Sequence, residues 1–544
     1  MSKRNRIKKW GAVAVGAIAA VSVLSFIVVA QGRKAKEVGE QALSESREKI
    51  RQIYTEEYQE QARQQLEEMK ESQEYTEDHM LIQENPFGTN TLSLYVYFTT
   101  AEPATVSYQV SAEDESAGDF SGIPEGENDY NQEHEFQVIG LLPDQKNVIT
   151  FTVTAESGEE RTYRQEYEMG SLLGGEEVQL ERSGQEEALA ESSVSNGLYV
   201  ILGNDSDGLD FMYYYDNQGV LRGEVPLIGY RSHRLLFQNG RMYYSISQTK
   251  IAAVNSLGQV EQVYDTKDYI LHHDYVFDDE GDLLVLATDT QSDSVEDQIL
   301  LLDDETGEIT MEFDLGDLLG DYKQSCTRSP DEELDWMHIN SIQWLGDETV
   351  ILSSRETSSI LKISGLYSDP QIDYLIGEES FWEGTGYEGL LLKKNEEEGS
   401  FSNTGGQHTV TYESDEALPE GQYYLYLFNN NLGVSESQPE YDWSQIQGIA
   451  TSLSAGENSY YYKYKVDEST GTYSLVQSFS VPFSGYVSSV QDYQGNIIVD
   501  SGMEGVFGEY DAQGNLLRDF KMNLSKSYIY RVYKYDFEGF YFEN

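Results

Sequence analysis

Asp492-Tyr493-Gln494-Gly495 and Asp511-Ala512-Gln513-Gly514 each stand between a pair of short apolar strands, with an aspartate and, three positions on, a glycine. The same form recurs at Asp216-Asn217-Gln218-Gly219, Asp278-Asp279-Glu280-Gly281 and Asp304-Glu305-Thr306-Gly307. Glycine supplies the positive φ that a tight hairpin needs, and the aspartate can bond its own backbone. Hairpin chemistry explains these acidic turns better than calcium binding, because no EF-hand spacing accompanies them. Strands this short, recurring through residues 171–544 with no helical stretch between them, predict an all-β fold. Radial repetition into a β-propeller suits so long a run better than one sandwich.

Upstream, Asn85-Pro86-Phe87-Gly88 is a turn signal. It precedes the runs Leu92–Phe98, Thr105–Val110 and Val148–Val153, which are period-2 or β-branched. Residues 84–170 therefore predict a small N-terminal β-sandwich, with a linker from Gly170 to Glu177. From Arg33 to Asp78 there is no proline, and Leu43, Ile50, Ile53, Tyr54, Tyr58, Ala62, Leu66 and Met69 recur mostly three or four apart. That narrow stripe predicts one long helix over residues 33–83, a solvated stalk lightly packed on the body. A homodimer through a coiled coil is the weaker alternative, since most seam positions lack leucine.

Lys3, Arg4, Arg6, Lys8 and Lys9 precede the uncharged run Trp10–Ala30. About 20 apolar residues span a bilayer, and the basic cluster stays cytoplasmic. Residues 1–32 are thus expected to be a transmembrane signal anchor, with a cleaved signal peptide as the other reading of Val28-Val29-Ala30. In both cases the rest of the chain is exported. Beyond residue 36 the chain carries 28 basic against 96 acidic groups, a net of −68. Such a surface repels nucleic acid, which is excluded as a partner. Cys326 is alone, so neither an intrachain disulfide nor a cysteine metal site can form. No cofactor or metal is expected.

Histidine is scarce, with seven in the chain. His79 and His134 read as surface residues, and His233, in Arg231-Ser232-His233-Arg234, as one at a blade edge. The others stand in unusual contexts: Leu271-His272-His273-Asp274, Asp335-Trp336-Met337-His338-Ile339-Asn340-Ser341 before the strand ending at Arg355, and Gly405-Gly406-Gln407-His408-Thr409. In a propeller the innermost strands bring residues from distant stretches of the chain to one channel. Two glycines before His408 let the backbone turn sharply and carry the ring there.

These segments, with Asn85-Pro86-Phe87-Gly88-Thr89, Ile139-Gly140-Leu141-Leu142-Pro143 and Leu427-Phe428-Asn429-Asn430-Asn431, resemble in order the bacterial arylsulfate sulfotransferases. The resemblance runs from about residue 84 to the C-terminus. It implies a six-bladed propeller after the small β-domain, and sulfuryl transfer from an aryl sulfate to a phenol without a nucleotide donor. Carried over by motif, the nucleophile falls on His408, and sulfuryl-binding groups on His338, Asn340 and Arg355. The remaining active-site histidine falls on His273 or, less securely, His272. The chain departs from Gram-negative relatives in lacking a cysteine pair and in having an anchor and stalk, which points to a Gram-positive cell surface.

The residue types suit that chemistry. Sulfuryl transfer needs a nitrogen nucleophile and cationic or polar donors for the charged oxygens, as phosphoryl transfer does. Neutral imidazole can attack sulfur. Arg355 offers a fork for two oxygens, and protonated His338 and His273 can serve the departing phenolate. The expected course is ping-pong. Alternatives are a surface propeller that only binds phenolic or sulfated ligands, and an aryl sulfatase using water.

Overall fold

The computed structural model describes residues 40–112, 117–183, 193–204, 208–329, 333–397, 399–524 and 528–543. The expected anchor over residues 1–32 lies outside them. No described helix is long and apolar enough to cross a membrane. The chain divides into two compact units, Met1–Gln52 and Ile53–Asn544.

The structure departs from one uninterrupted, solvated stalk. Residues 40–53 are helical, Tyr54 and Thr55 are not, and a second helix runs Glu56–Ser72. The break has a local cause. Thr55 is extended at φ −104° and ψ 144°, and its hydroxyl accepts the N–H of Tyr58 as the cap of the new helix. Tyr54 is buried, donating its hydroxyl to the Pro226 carbonyl at 2.6 Å. One face of Glu56–Ser72 is equally committed. Ala62 and Leu66 pack with Tyr75, Leu81, Phe87 and Tyr95. The buried Gln59 amide donates to the carbonyls of Ile53 and Phe87 and accepts from Val260 N–H.

The N-terminal β-domain is a six-stranded arrangement around one long strand, Leu94–Ala112. Its first half pairs with Leu81–Glu84 and Asn131–Val138, its second with Phe120–Gly122 and Lys146–Ala155, which in turn pairs with Glu160–Glu168. Buried and half-buried residues alternate strictly along Lys146–Ala155, as a strand with one covered face requires. His134, expected at the surface, is fully buried, stacked on Phe98 and bonded to Glu127 at 2.5 Å. A carboxylate partner offsets the cost of that burial.

Six further sheets follow among the described residues. The second is Leu236–Gln238, Arg241–Ser247, Lys250–Asn255 and Val260–Asp265; the third is Tyr269–Phe277, Leu283–Asp289, Gln298–Leu302 and Ile309–Asp314. The fourth is Ile339–Gly346, Thr349–Ser354, Ser359–Ser364 and Gln371–Ile376. The fifth, led by His408–Glu413, continues through Gln422–Asn429, Asn458–Asp467 and Thr472–Pro482. The sixth is Ser489–Tyr493, Asn496–Ser501, Val506–Asp511 and Leu516–Lys521, edged by Glu181–Ser183. The first takes Leu198–Ile201, Asp210–Tyr215 and Leu221–Leu227 from one end of this region and Val532–Tyr535 from the other. The leading strands of the third, fourth, fifth and sixth sheets and Val532–Tyr535 touch in succession. Helical structure does interrupt this region, contrary to the sequence reading, at Gly316–Ser325 and Glu379–Trp382.

All five motif glycines have positive φ, and Asp216, Asp278 and Asp511 accept N–H groups of their own turns, whereas the Asp304 carboxylate accepts from Arg241, Tyr243 and Tyr264 and that of Asp492 from Tyr461 and Lys463. Asp216 Oδ1 accepts the N–H groups of Gln218 and Val220, and Gly219 has φ +77°. All five follow a leading strand or the third strand of a sheet, so they gather at one edge. The starts of the leading strands lie at the other. The N-terminal β-domain docks on the turn edge, where buried Arg222 donates to the Ala117 and Gly140 carbonyls and pairs with Asp216.

Candidate active site

At the starts of the leading strands the ladder slips and the backbone enters the left-handed region. Register breaks fall between Leu271 and Tyr275, Ile339 and Ser341, and His408 and Thr411. Positive φ occurs at His273 (52°), His338 (49°) and Thr409 (52°), none of them glycine. Such bulges re-aim side chains and store strain that the surrounding fold must hold. Before His408, a Cβ on Gly405 would lie 2.9 Å from the Leu432 backbone, while Gly406 has φ +63°. Both glycines are therefore required, one for space and one for conformation.

His408 is 3% exposed. Its Nδ1 faces two oxygens, Asn430 Oδ1 at 2.7 Å and the Gly406 carbonyl at 3.0 Å. The Asn430 amide nitrogen donates to the Ser484 and Val487 carbonyls, which fixes its oxygen toward the ring. Nδ1 must then carry the proton, leaving the lone pair on Nε2. Burial holds the imidazole well below its usual pKa, so the ring is neutral near pH 7.

His338 is the opposite case. Its Nδ1 lies 2.6 Å from Asp335 Oδ2 and 2.7 Å from Glu296 Oε2. Burial and Arg355 disfavour its charge, but the two carboxylates outweigh them and the ring is pushed up to about 9. His273 donates from Nε2 to Glu296 at 2.9 Å, and its Nδ1 meets the Tyr530 hydroxyl at 2.7 Å. Burial drives it down to about 3 despite Glu296. His272 Nδ1 lies 3.3 Å from the other Glu296 oxygen, so the pair of histidines flanks one carboxylate. Arg355 is 30% exposed on its side chain, 3.6 Å from Asp335 and 3.8 Å from Glu356. Burial pushes the Glu356 carboxyl up to about 7.

His273, His338 and Arg355, from connections and strands of the third and fourth sheets, stand close enough to His408 at the start of the fifth for each to disfavour its charged form, with His272 beside His273. Asn340 is close, and its side-chain nitrogen donates to the Gln407 carbonyl at 2.7 Å, steadying the residue before His408. His233 is not at an edge. It is fully buried, its ring 6.1 Å from that of Tyr530, and Arg531 donates to its carbonyl. The adjoining Arg231 is buried as well, its guanidinium 3.7 Å from the Tyr530 ring centroid. Glu296, Asp335, Asn430 and Tyr530 escaped the sequence reading. Asp335 and Asn430 stood within motifs already quoted; Glu296 and Tyr530 carry no local signal. The donor atoms of His272, His273 and Glu296, and of Glu296, Asp335 and His338, cluster within 4.8 Å. The same groups stand at hydrogen-bond distance from one another, His273 and His338 from Glu296 and His338 from Asp335.

Two family models match the chain: arylsulfotransferase (ASST) over residues 184–531 and the arylsulfotransferase Ig-like domain over residues 81–170. No curated protein matches. Solved structures of similar form include a candidate 6-phosphogluconolactonase from Bacteroides fragilis (11% identity, 79% of this chain and 98% of that one, TM-score 0.36). A second candidate 6-phosphogluconolactonase, from Bacteroides uniformis, has 10% identity over 80% of this chain and all of that one, at TM-score 0.35. Virginiamycin B lyase from Staphylococcus aureus with quinupristin has 11% identity over 63% of this chain and 89% of that one, at TM-score 0.33.

Proposed function

Since the chain belongs to the arylsulfotransferase family, we propose that it works by a ping-pong route through a sulfo-histidine at His408. His408 Nε2 attacks the sulfur of an aryl sulfate, an N–S bond forms, and the S–O bond to the aryl group breaks. The departing phenolate takes a proton from His338. An acceptor phenol then returns a proton to His338 as its oxygen attacks sulfur and the N–S bond breaks. Arg355 balances charge on the sulfuryl oxygens, where preorganised donors are worth most.

The observation that carries this reading is the pair of oxygens on His408 Nδ1, which leaves Nε2 unprotonated in a buried, neutral ring. His408→Ala is expected to abolish both donor cleavage and transfer. In the unaltered enzyme, donor quenched without acceptor should leave one sulfuryl mass on His408. Full activity without an adduct would instead favour direct transfer between two bound phenols, and donor turnover indifferent to added phenol would favour a sulfatase.

We read the six sheets as the blades of a propeller, with the strand exchange between first and last sheets closing the ring. The basic cluster and uncharged run before residue 31 support a single-pass anchor with the catalytic domain outside, on a Gram-positive surface. Protease added to intact cells should then digest residues 37–544, and full protection would overturn that topology.

A further inference from the structure

Glu296 lies in the connection between Leu283–Asp289 and Gln298–Leu302, and its carboxylate meets three histidines. Oε2 is 2.7 Å from His338 Nδ1 and 2.9 Å from His273 Nε2, and Oε1 is 3.3 Å from His272 Nδ1. Its backbone is held in an unfavourable conformation, φ +57°, from both sides. Its N–H donates to Thr288 Oγ1 at 2.7 Å, and its carbonyl accepts from Ile339, the residue after His338. The fold therefore fixes the carboxylate against the start of the fourth sheet.

We propose that Glu296 is a positioning residue of the transfer reaction: its carboxylate decides where the site histidines hold their protons, keeping His338 as the cation and fixing the neutral His273 as its Nε2–H tautomer. The proposal rests on the reading above that His338 serves the departing phenolate.

The hydrogen-bond count carries it. Carboxylates of Glu296 and Asp335 both approach His338 Nδ1, which must be an N–H, and two anions beside one ring favour a second proton on Nε2. On His273, Nε2–H is spent on Glu296, so Nδ1 is left to accept the Tyr530 hydroxyl. The two rings are 4.8 Å apart, and one shared carboxylate oxygen cannot neutralise two imidazoliums there. The second carboxylate, Asp335, touches His338 alone of the pair, which breaks the symmetry. Of the remaining neighbours, Arg355 disfavours further positive charge on His338 and His272 does so on His273, while burial keeps the Tyr530 phenol a neutral hydroxyl, so none of them can substitute for Glu296.

The test uses the full enzyme, with ¹⁵N-labelled histidine and the pH profile of kcat/KM read together. In the unaltered protein His338 should titrate at about 9, with the alkaline limb of kcat/KM falling at the same pH. A pKa raised by its partners keeps the cation present below that value and loses it above. Glu296→Gln removes one of the two anions, so both midpoints should move down by about one pH unit. The His408 adduct should still form, because that ring is untouched. Glu296→Asp keeps the charge but withdraws it by a methylene, and an intermediate midpoint is expected. An unmoved His338 midpoint in either variant would overturn the proposal, and the aspartate variant decides alone when the glutamine variant fails to fold. If the unaltered enzyme turned over no aryl sulfate, the reaction assigned above would fail, while the His338 titration would still decide the role of Glu296.

Discussion

At Arg355 the guanidinium stands 3.6 Å and 3.8 Å from two carboxylates, and its side chain remains 30% exposed. Its backbone is fastened instead: the Arg355 N–H donates to the His338 carbonyl, and its carbonyl accepts from Ser358. The chain thus sets the fork beside His338 without consuming it. Arg355→Lys keeps the charge and loses the planar pair of donors, so kcat should fall by about tenfold to a hundredfold. The sulfuryl adduct on His408 should survive, more slowly formed, in quenched-flow mass spectrometry. An unchanged kcat would mean that charge alone suffices. Readable beforehand were the residues with chemical character at marked spacings: His408 after two glycines, and His338 with Asn340 and Arg355. What Asn340 does was not readable, because its amide nitrogen donates to the backbone of Gln407, 67 positions along the chain.

The helix Glu56–Ser72 illustrates the same limit at the next scale. Its stripe of Ala62, Leu66 and Met69 is plain in the sequence, and so is helix. How firmly the stripe is covered depends on Phe87, Tyr95 and Leu81, which belong to the Ig-like domain. Leu66 is 5% exposed, so Leu66→Ala should cost about 2–4 kcal/mol, measured by reversible denaturant unfolding. A chain beginning at Gln83 would leave Phe87 and Tyr95 uncovered and should melt well below the full protein. Unchanged melting in that shortened chain would return the helix to the status of a spacer. The interruption at Tyr54 and Thr55 was equally hidden. A threonine cap is a weak signal inside an apolar stripe, and the Tyr54 hydroxyl finds its partner at Pro226, 172 positions away.

Across the whole molecule, the exchange of terminal strands ties the first sheet to the last. Val532–Tyr535 completes the first sheet, and Glu181–Ser183 edges the sixth. Lys534 fastens this junction. Its ammonium is fully buried, 2.8 Å from Glu509 Oε2, and it also donates to the Ser195 carbonyl and Asn217 Oδ1. Burial pushes the lysine down to about 8 even with Glu509 beside it. Lys534→Met would leave the Glu509 carboxylate without its cation, with only the neutral donors Tyr199, Asn496 and Ser195 N–H, and breaking a buried pair from one side costs about 3–5 kcal/mol. The expected result is a lower melting temperature together with faster proteolysis of the residues after Met522. Loss of stability without that proteolysis would separate the ion pair from closure.

The sequence by itself determined the class of fold and supplied the candidate reacting groups. Alternation along strands, aspartate–glycine turns and the order of the histidine motifs are local properties, fixed by sterics and hydrogen bonding within a few residues. Only the tertiary structure decided the protonation of those groups. His273, His338 and His408 are the same side chain, yet one is neutral between Tyr530 and Glu296, one is charged between two carboxylates, and one is neutral with its proton pinned by Asn430. Those partners arrive from other sheets, and the field of a neighbouring charge in a desolvated site depends on distance in space, which the order of residues along the chain does not contain.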